Sequence, residues 1–340
     1  MPAQIGIDIA IASALLRQGK LVAIPTETVY GLAANGLDLK SVLGIFEAKN
    51  RPRFDPLILH VRDIPMAKTL VNEWNDTAQT LAEAFWPGPL TLILPKSDMV
   101  PDLVTAGNST VAIRIPSHPL TLALLQLIEF PLAAPSANPF SYVSPTTAKH
   151  VADQLIDRVD YILDGGECTI GIESTILAIE GKTARVLRLG GLSIEAIETV
   201  LGQPLLETLH QNSNPQSPGQ LDHHYAPRCK LIPLYNKDEP QLSWAELLKK
   251  PLFTSGFGLL LFSKQGMGAE EEFYLTKLQV AGKTKVYILD ELGDIAKAGA
   301  NLFSILRLLD SDGCKEVYFF WAPEIGLGRA INDRLMRASS

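Results

Sequence analysis

Lys49 and Arg51 stand two residues apart within IPTETVYGLAANGLDLKSVLGIFEAKNRPRFDPLILH, residues 24–60, and paired cations at that spacing can serve a polyanion. In extended backbone they project to one side roughly 6.6 Å apart, and Pro52 pushes Arg51 toward that form. Two solvated charges after a helix are the plainer alternative. Arg114 poses a similar choice. Period-two alternation over residues 110–115 sends Thr110, Ala112 and Arg114 to one face of a strand and Val111, Ile113 and Ile115 to the other. The guanidinium either lines a cavity beside small residues or sits on an edge strand in water. Residues 132–134 read as a short buried strand that delivers Ser136 and Asn138 into a proline-rich loop, where hydroxyl and amide groups bind a ligand or simply make turns. Ser144 before Pro145 has the form of a helix start, and helix N-termini favour anions. Arg188 closes a strand just before Gly190 and Gly191.

Alternating strands and helices must position these groups. Ile5, Ile9, Ala12 and Leu16 share one helical face over residues 5–18, with Gly19 as the stop. A strand over 21–24 follows, then a loop over 25–31. Asp38 caps a helix through Ala48, and residues 57–61 form a buried strand carrying His60 near its end. Asn75 or Asp76 caps a helix to Phe85, broken by WPGP before a strand over 90–94. A helix over 120–128 precedes the strand at 132–134. Strands at 161–163, 175–179 and 184–189 come next, the last two joined by a turn at 180–182, and a helix over 194–201 ends at Gly202.

Residues 210–229 are polar and rich in Asn, Gln, Ser and Pro, which reads as a linker. The cluster DHHYAP within it is more than a spacer needs. His223, His224 and Cys229 lack a fourth zinc ligand at standard spacing. Beyond it, strands at 231–235, 258–262, 285–289 and 316–321, a helix over 295–309 and a terminal helix from Gly328 form a small parallel α/β unit. The domains predicted are 1–202, a linker or lid at 203–228, and 229–340.

A chain of 340 residues with 46% hydrophobic and 20% charged residues has room for two folded domains. Its net charge of -7 argues against a broad nucleic-acid coat while allowing a local basic pocket. Cys168, Cys229 and Cys314, odd in number and far apart, fit a reduced cytoplasmic setting. No signal-peptide pattern or membrane-length apolar run is read. The sequence contains no GxxxxGK loop, GxSxG elbow or HExxH. Dispersed cations and small polar groups at strand ends suit a nucleotide and a small polar substrate, with catalysis by positioning and charge neutralisation.

Lys49-Asn-Arg51 with Ser136-Ala-Asn138 matches the KxR…SxN signature of the YrdC-like superfamily, and PTETVYGL, WPGPLTL, AIRIP, SPTTA and GIESTI look like its other landmarks. With the HYAP-type linker and the extra domain, the chain resembles the two-domain threonylcarbamoyl-AMP synthases over essentially its whole length. The resemblance implies an N-terminal twisted open α/β sheet domain with a concave basic cavity and a smaller C-terminal Rossmann-like parallel domain. It implies a nucleotidyltransferase that turns L-threonine, bicarbonate or CO2, and ATP with Mg2+ into threonylcarbamoyl-AMP and pyrophosphate. That is the first step of threonylcarbamoyladenosine formation on tRNA. Downstream proteins would transfer the group to tRNA, with room for a weak tRNA contact and none for a membrane.

Carried over residue by residue, threonine contacts fall on Thr28, His60, Arg114 and Ser174, with the backbone at Ala134. ATP contacts fall on Lys49, Arg51, Asp55, Thr110, Ser136, Asn138, Ser144 and Arg188, with Lys49 and Arg51 catalytic through their charge. Tyr225 would cover the nucleotide. Asp55 stands where many members have Asn, and Asn50 and Ser141 where glycine is common, which implies slightly different turns. A non-catalytic RNA-binding or regulatory module using the same basic cavity is the alternative. The acidic net charge and the intact set Lys49, Arg51, Ser136 and Asn138 count against it. A carbamoyl-phosphate-dependent maturation factor would carry further cysteine clusters.

Overall fold

Short apolar runs punctuated by Gly, Pro and Asp become strands and side-chain-capped helices. The computed structural model describes residues 2–207, 225–235, 257–265, 267–280 and 284–339. The chain divides into two units, Met1–Asp222 and His223–Ser340. Most of the expected linker, residues 208–224, lies outside the described residues.

The first unit is built on β1 (Gln4–Gly6), β2 (Val22–Ile24), β3 (Gly31–Asn35), β4 (Ile58–His60), β5 (Leu90–Pro95), β6 (Thr110–Arg114), β7 (Leu132–Ala133), β8 (Tyr161–Leu163), β9 (Thr175–Glu180), β10 (Thr183–Arg188) and β11 (Leu206–Glu207). They form one mixed sheet in the order β1-β8-β2-β3-β7-β4-β6-β5-β9-β10-β11. Leu16, Val22, Ile24, Ala33, Leu124, Leu132 and Leu163 share one core cluster, each fully buried leucine contributing about 1.5–3 kcal/mol. The candidate polar residues stand on the central strands and the loops leaving them. β4 runs parallel to β6 with His60 beside Arg114, and β5 runs antiparallel to β6 and parallel to β9.

Two local expectations are corrected, and two elements appear that the sequence reading did not name. The run over 5–18 splits, because Ile5 pairs with Ile162 in β1 and Asp8 caps the helix Ile9–Arg17, its side chain accepting from Ala10 N at 2.7 Å. The loop expected at 25–31 leads into β3, whose sequence GLAAN lacks the branched residues that mark strands. Its small side chains suit a close neighbour: a Cβ on Gly31 would meet the Ala134 Cβ at 3.3 Å. A short helix, Ile64–Thr69, is capped by Asp63. Finally, the helix expected from Ser144 starts at Ala148 with Thr147 as its cap. Ser144 is drawn elsewhere by a buried tertiary hydrogen bond to Glu173 Oε1 at 2.7 Å.

The second unit holds an all-parallel sheet of β12 (Lys230–Pro233), β13 (Phe257–Leu261), β14 (Thr284–Ile288) and β15 (Glu316–Phe319), ordered β12-β15-β13-β14. Its helices include Ala269–Val280, which the sequence reading missed, Ile295–Ser311 and Leu327–Ser339. Leu259, Leu261, Tyr318 and Phe320 belong to its core. Among the described residues no helix is long and apolar enough to cross a membrane.

Candidate functional site

The cationic end of the site begins at a helix terminus. Asp38 caps Leu39–Lys49 by accepting from Ser41 N at 3.0 Å, and the helix stops at Asn50, which is left-handed at φ 53°. The extended spacing expected for Lys49 and Arg51 is therefore not what joins them: one is helical, and the turn at Asn50 re-aims the other. Lys49 is buried, and its Nζ donates to the carbonyls of Ser136 and Asn138. Burial pushes its pKa well below the usual lysine range; Arg51 adds to this and Asp55 opposes it.

Arg51 is tied to the chain just ahead of it. Its Nε donates to Asp55 O at 3.2 Å and its Nη2 to Pro56 O at 2.8 Å, while Nη2 pairs with Asp55 Oδ2 at 2.9 Å. Burial raises the Asp55 carboxyl above its ordinary value, against the pull of Arg51, Lys49 and Arg188. Arg188 arrives by a register irregularity in β10 after Val186, of the kind that re-aims side chains. Its Nε and Nη2 donate to Ser174 O at 3.1 and 2.9 Å, and Nη2 also reaches Ser174 Oγ at 3.0 Å.

The loop after β7 supplies polar groups without bulk. Asn138 Nδ2 donates to Pro139 O at 2.9 Å and to Tyr142 O at 2.7 Å, which shapes the loop whose carbonyls hold Lys49. Ser136 is half-buried and bridges to Gly31. Ser141, at φ 64°, is left-handed like Asn50. Both positions therefore take the left-handed conformation that glycine adopts without steric cost.

The other end centres on Arg114, buried at the end of β6. Its Nη2 pairs with Glu27 Oε1 at 2.6 Å, its Nη1 donates to Thr28 Oγ1 at 2.9 Å, and its Nε donates to Gly88 O at 3.1 Å. Glu27 Oε2 also accepts from Ser117 N at 3.0 Å. Burial pushes the Glu27 pKa up, but Arg114 and the hydrogen bonds outweigh it and leave the carboxyl below its usual range. His60 is pushed down to about 3, by burial first and then by Arg114, so its imidazole is neutral at pH 7. Glu27 was not among the residues picked from sequence; the available signal was an acid between two threonines in a turn directly after a strand.

Two clusters thus emerge, Lys49, Arg51, Asp55 and Arg188 with the 136–138 loop and Ser174, and Arg114 with Glu27, Thr28 and His60. Ser174 Oγ lies 2.8 Å from Thr91 Oγ1, and Ala134 N donates to Ile58 O at 3.1 Å, which ties both residues to the central strands. Thr110, half-buried, begins the strand that Arg114 ends, four residues away on the same face. Tyr225 lies in the second unit, buried, with its ring stacked on Phe303 at 5.5 Å and the Arg334 guanidinium 4.9 Å from its centroid.

A mixed α/β domain with a cation-lined site, followed by a parallel α/β domain, defines the class. The Sua5/YciO/YrdC family model, described as telomere recombination, matches residues 14–190, and the model described as threonylcarbamoyl-AMP synthase, C-terminal domain, matches residues 192–340. The chain belongs to this Sua5/YrdC family, in its two-domain form. It is 40% identical over 335 residues to a threonylcarbamoyl-AMP synthase of Pyrococcus abyssi, spanning 97% of this chain and 94% of that one. It is likewise 40% identical over 338 residues to one of Bacillus subtilis, spanning 98% and 93%. The crystal structure of P. abyssi Sua5 complexed with L-threonine matches with a TM-score of 0.85 and 37% identity, covering 100% of this chain and 97% of that one.

Proposed function

We propose that this chain is an L-threonylcarbamoyladenylate synthase, a nucleotidyltransferase that makes threonylcarbamoyl-AMP and pyrophosphate from L-threonine, bicarbonate or CO2, and ATP. The observation that carries the reading is the pairing of two buried clusters, one of three cations for a polyphosphate and one with a forked guanidinium for a carboxylate. In the reaction the threonine nitrogen bonds to CO2 and loses a proton, a carbamate oxygen attacks the α-phosphorus, and the bond from that phosphorus to the departing pyrophosphate oxygen breaks. Two anions must meet, so Lys49, Arg51 and Arg188 act by neutralising charge. Mg2+, brought in with ATP, would supply further neutralisation of the triphosphate charge.

Arg114 takes the threonine carboxylate, with Thr28, neutral His60, Ser174 and the backbone at Ala134 around the amino acid. Thr110, Ser136, Asn138 and Ser144 complete the ATP contacts with Asp55, and Tyr225 covers the nucleotide. The product passes to proteins that modify tRNA. The setting is cytoplasmic, in keeping with the free thiols of Cys168, Cys229 and Cys314.

Pyrophosphate release from ATP tests this, with threonine and bicarbonate omitted in turn and Arg51→Ala as control. Release that needs all three substrates and is lost in the variant is expected. Release without threonine would overturn the substrate assignment, and no release under any condition would overturn the reaction.

A further inference from the structure

A carboxylate inside a cationic cradle opposes the ligand that such a cradle attracts. Asp55 is fully buried, with Oδ2 2.9 Å from Arg51 Nη2. Lys49 and Arg188 act on the same carboxyl electrostatically. Its Oδ1 accepts no hydrogen bond among the described residues. A buried ion pair retained for stability normally has its remaining lone pairs satisfied, and this one does not. Nor does Arg51 depend on the carboxylate for its position, because Nε and Nη2 already donate to the carbonyls of Asp55 and Pro56. The carboxylate is thus buried with one oxygen unsatisfied, under the electrostatic pull of three cations, and dispensable for the geometry of the nearest one.

We propose that Asp55 is a resident counter-anion: its carboxylate balances Lys49, Arg51 and Arg188 while no phosphate is bound, and gives up Arg51 when a di- or triphosphate arrives. The inference rests on the reading that this cradle takes the phosphates of ATP. It adds a function for a residue that otherwise works against the substrate. Competition by Asp55 weakens the hold on pyrophosphate, so the return of the carboxylate to Arg51 helps expel that product.

Titration calorimetry with inorganic pyrophosphate, on the full chain and on Asp55→Asn, tests the proposal with and without Mg2+. Removing the competing charge should tighten metal-free pyrophosphate binding by about tenfold, in the range of coupling between neighbouring charges, and pyrophosphate should raise the melting temperature of the variant more than that of the native chain. Equal affinities would overturn the counter-anion alone. Weaker binding of magnesium pyrophosphate by Asp55→Asn would overturn it too, by making Asp55 a metal ligand. If neither protein binds pyrophosphate, the phosphate cradle itself falls and the proposed function with it. A crystal structure of the native chain with pyrophosphate gives a check that does not require the variant to fold. A phosphoryl oxygen on Arg51 with the Asp55 pair broken is expected, and an intact 2.9 Å pair beside bound pyrophosphate would overturn the proposal.

Discussion

Arg114–Glu27 and Arg51–Asp55 are both buried arginine–carboxylate pairs, at 2.6 and 2.9 Å, yet the two carboxyls are shifted in opposite directions. Glu27 lies below its ordinary pKa and Asp55 above it. Burial is the largest influence on each. What differs is the surrounding set of donors: Glu27 Oε2 takes the Ser117 N–H, whereas Asp55 Oδ1 accepts no hydrogen bond among the described residues. A carboxylate that is hydrogen-bonded on its far side is held by more than its cation. One that is not is a place where another anion can compete.

The largest way to break this comparison is Glu27→Ala, which leaves Arg114 buried without its counter-charge. A loss of about 3–5 kcal/mol in unfolding free energy is expected, measured by urea denaturation. Asp55→Asn should cost clearly less, since Arg51 retains two carbonyl acceptors. Equal losses would erase the distinction. Arg114→Lys comes next: it keeps a charge but loses the fork that reaches Glu27, Thr28 and Gly88. Forfeiting one charged hydrogen bond to the substrate is worth about 1.5–3 kcal/mol, or roughly ten- to hundred-fold in the KM for threonine. The KM for ATP should stay within about twofold, a smaller change than any lost hydrogen bond would give.

The pH dependence separates the two ends further. His60, held near 3 against an unfolded value of 6.5, is neutral in the fold, so its share of stability is fully present above pH 6.5 and is lost as pH falls toward 3. The slope approaches about 1.4 kcal/mol per pH unit while one proton separates the two states. His60→Asn should remove that limb of a stability–pH curve. Glu27 has the ordinary carboxylate sign: its lowered folded pKa gives stability above its unfolded value, which disappears as pH falls through the folded one. Asp55 has the reverse sign, because a raised pKa means the fold binds the proton more tightly. Acidification through its folded value therefore adds stability, and Asp55→Asn should abolish that gain. If Asp55→Asn instead steepens the acid loss, the reading of this pair as the unsatisfied one is wrong.

How legible each end was follows from the kind of structure that builds it. The Arg114 end rests on strand register, and alternation over 110–115 already placed Arg114 on the small-residue face. The parallel pairing that brings His60 beside it, and the ion pair that recruits Glu27, join residues far apart in sequence and left no local trace. At the cationic end, Lys49 and Arg51 were visible as a pair, but their geometry was not, because a helix end and a left-handed Asn50 join them in place of continuous extended backbone. Arg188 is aimed by an irregularity in β10 that no pattern announces. Ser144 carries a cap-like signature, yet a tertiary bond to Glu173 claims its hydroxyl and the helix begins at Thr147 instead. In the second unit the four strands were readable within a residue or two, whereas the helix Ala269–Val280 shows little amphipathic pattern and was missed.

The smallest expected effect tests that dependence on a backbone turn. Asn50 holds φ 53° between the two cations. Asparagine adopts this conformation more readily than most residues, and glycine does so without steric cost. Asn50→Gly should therefore change unfolding free energy by less than about 0.5 kcal/mol, since relief of strain is offset by a freer unfolded chain. Pyrophosphate affinity should be unchanged. Asn50→Val forces a branched side chain into the same turn, at about 1–2 kcal/mol, and any escape from that strain moves Lys49 relative to Arg51. The discriminating readout is where the loss falls. If the cradle depends on the turn, Asn50→Val weakens pyrophosphate binding while threonine binding, proposed at Arg114, stays near native. If both ligands weaken together, the two ends are not separately supported, and the contrast between a register-built and a turn-built half of the site fails.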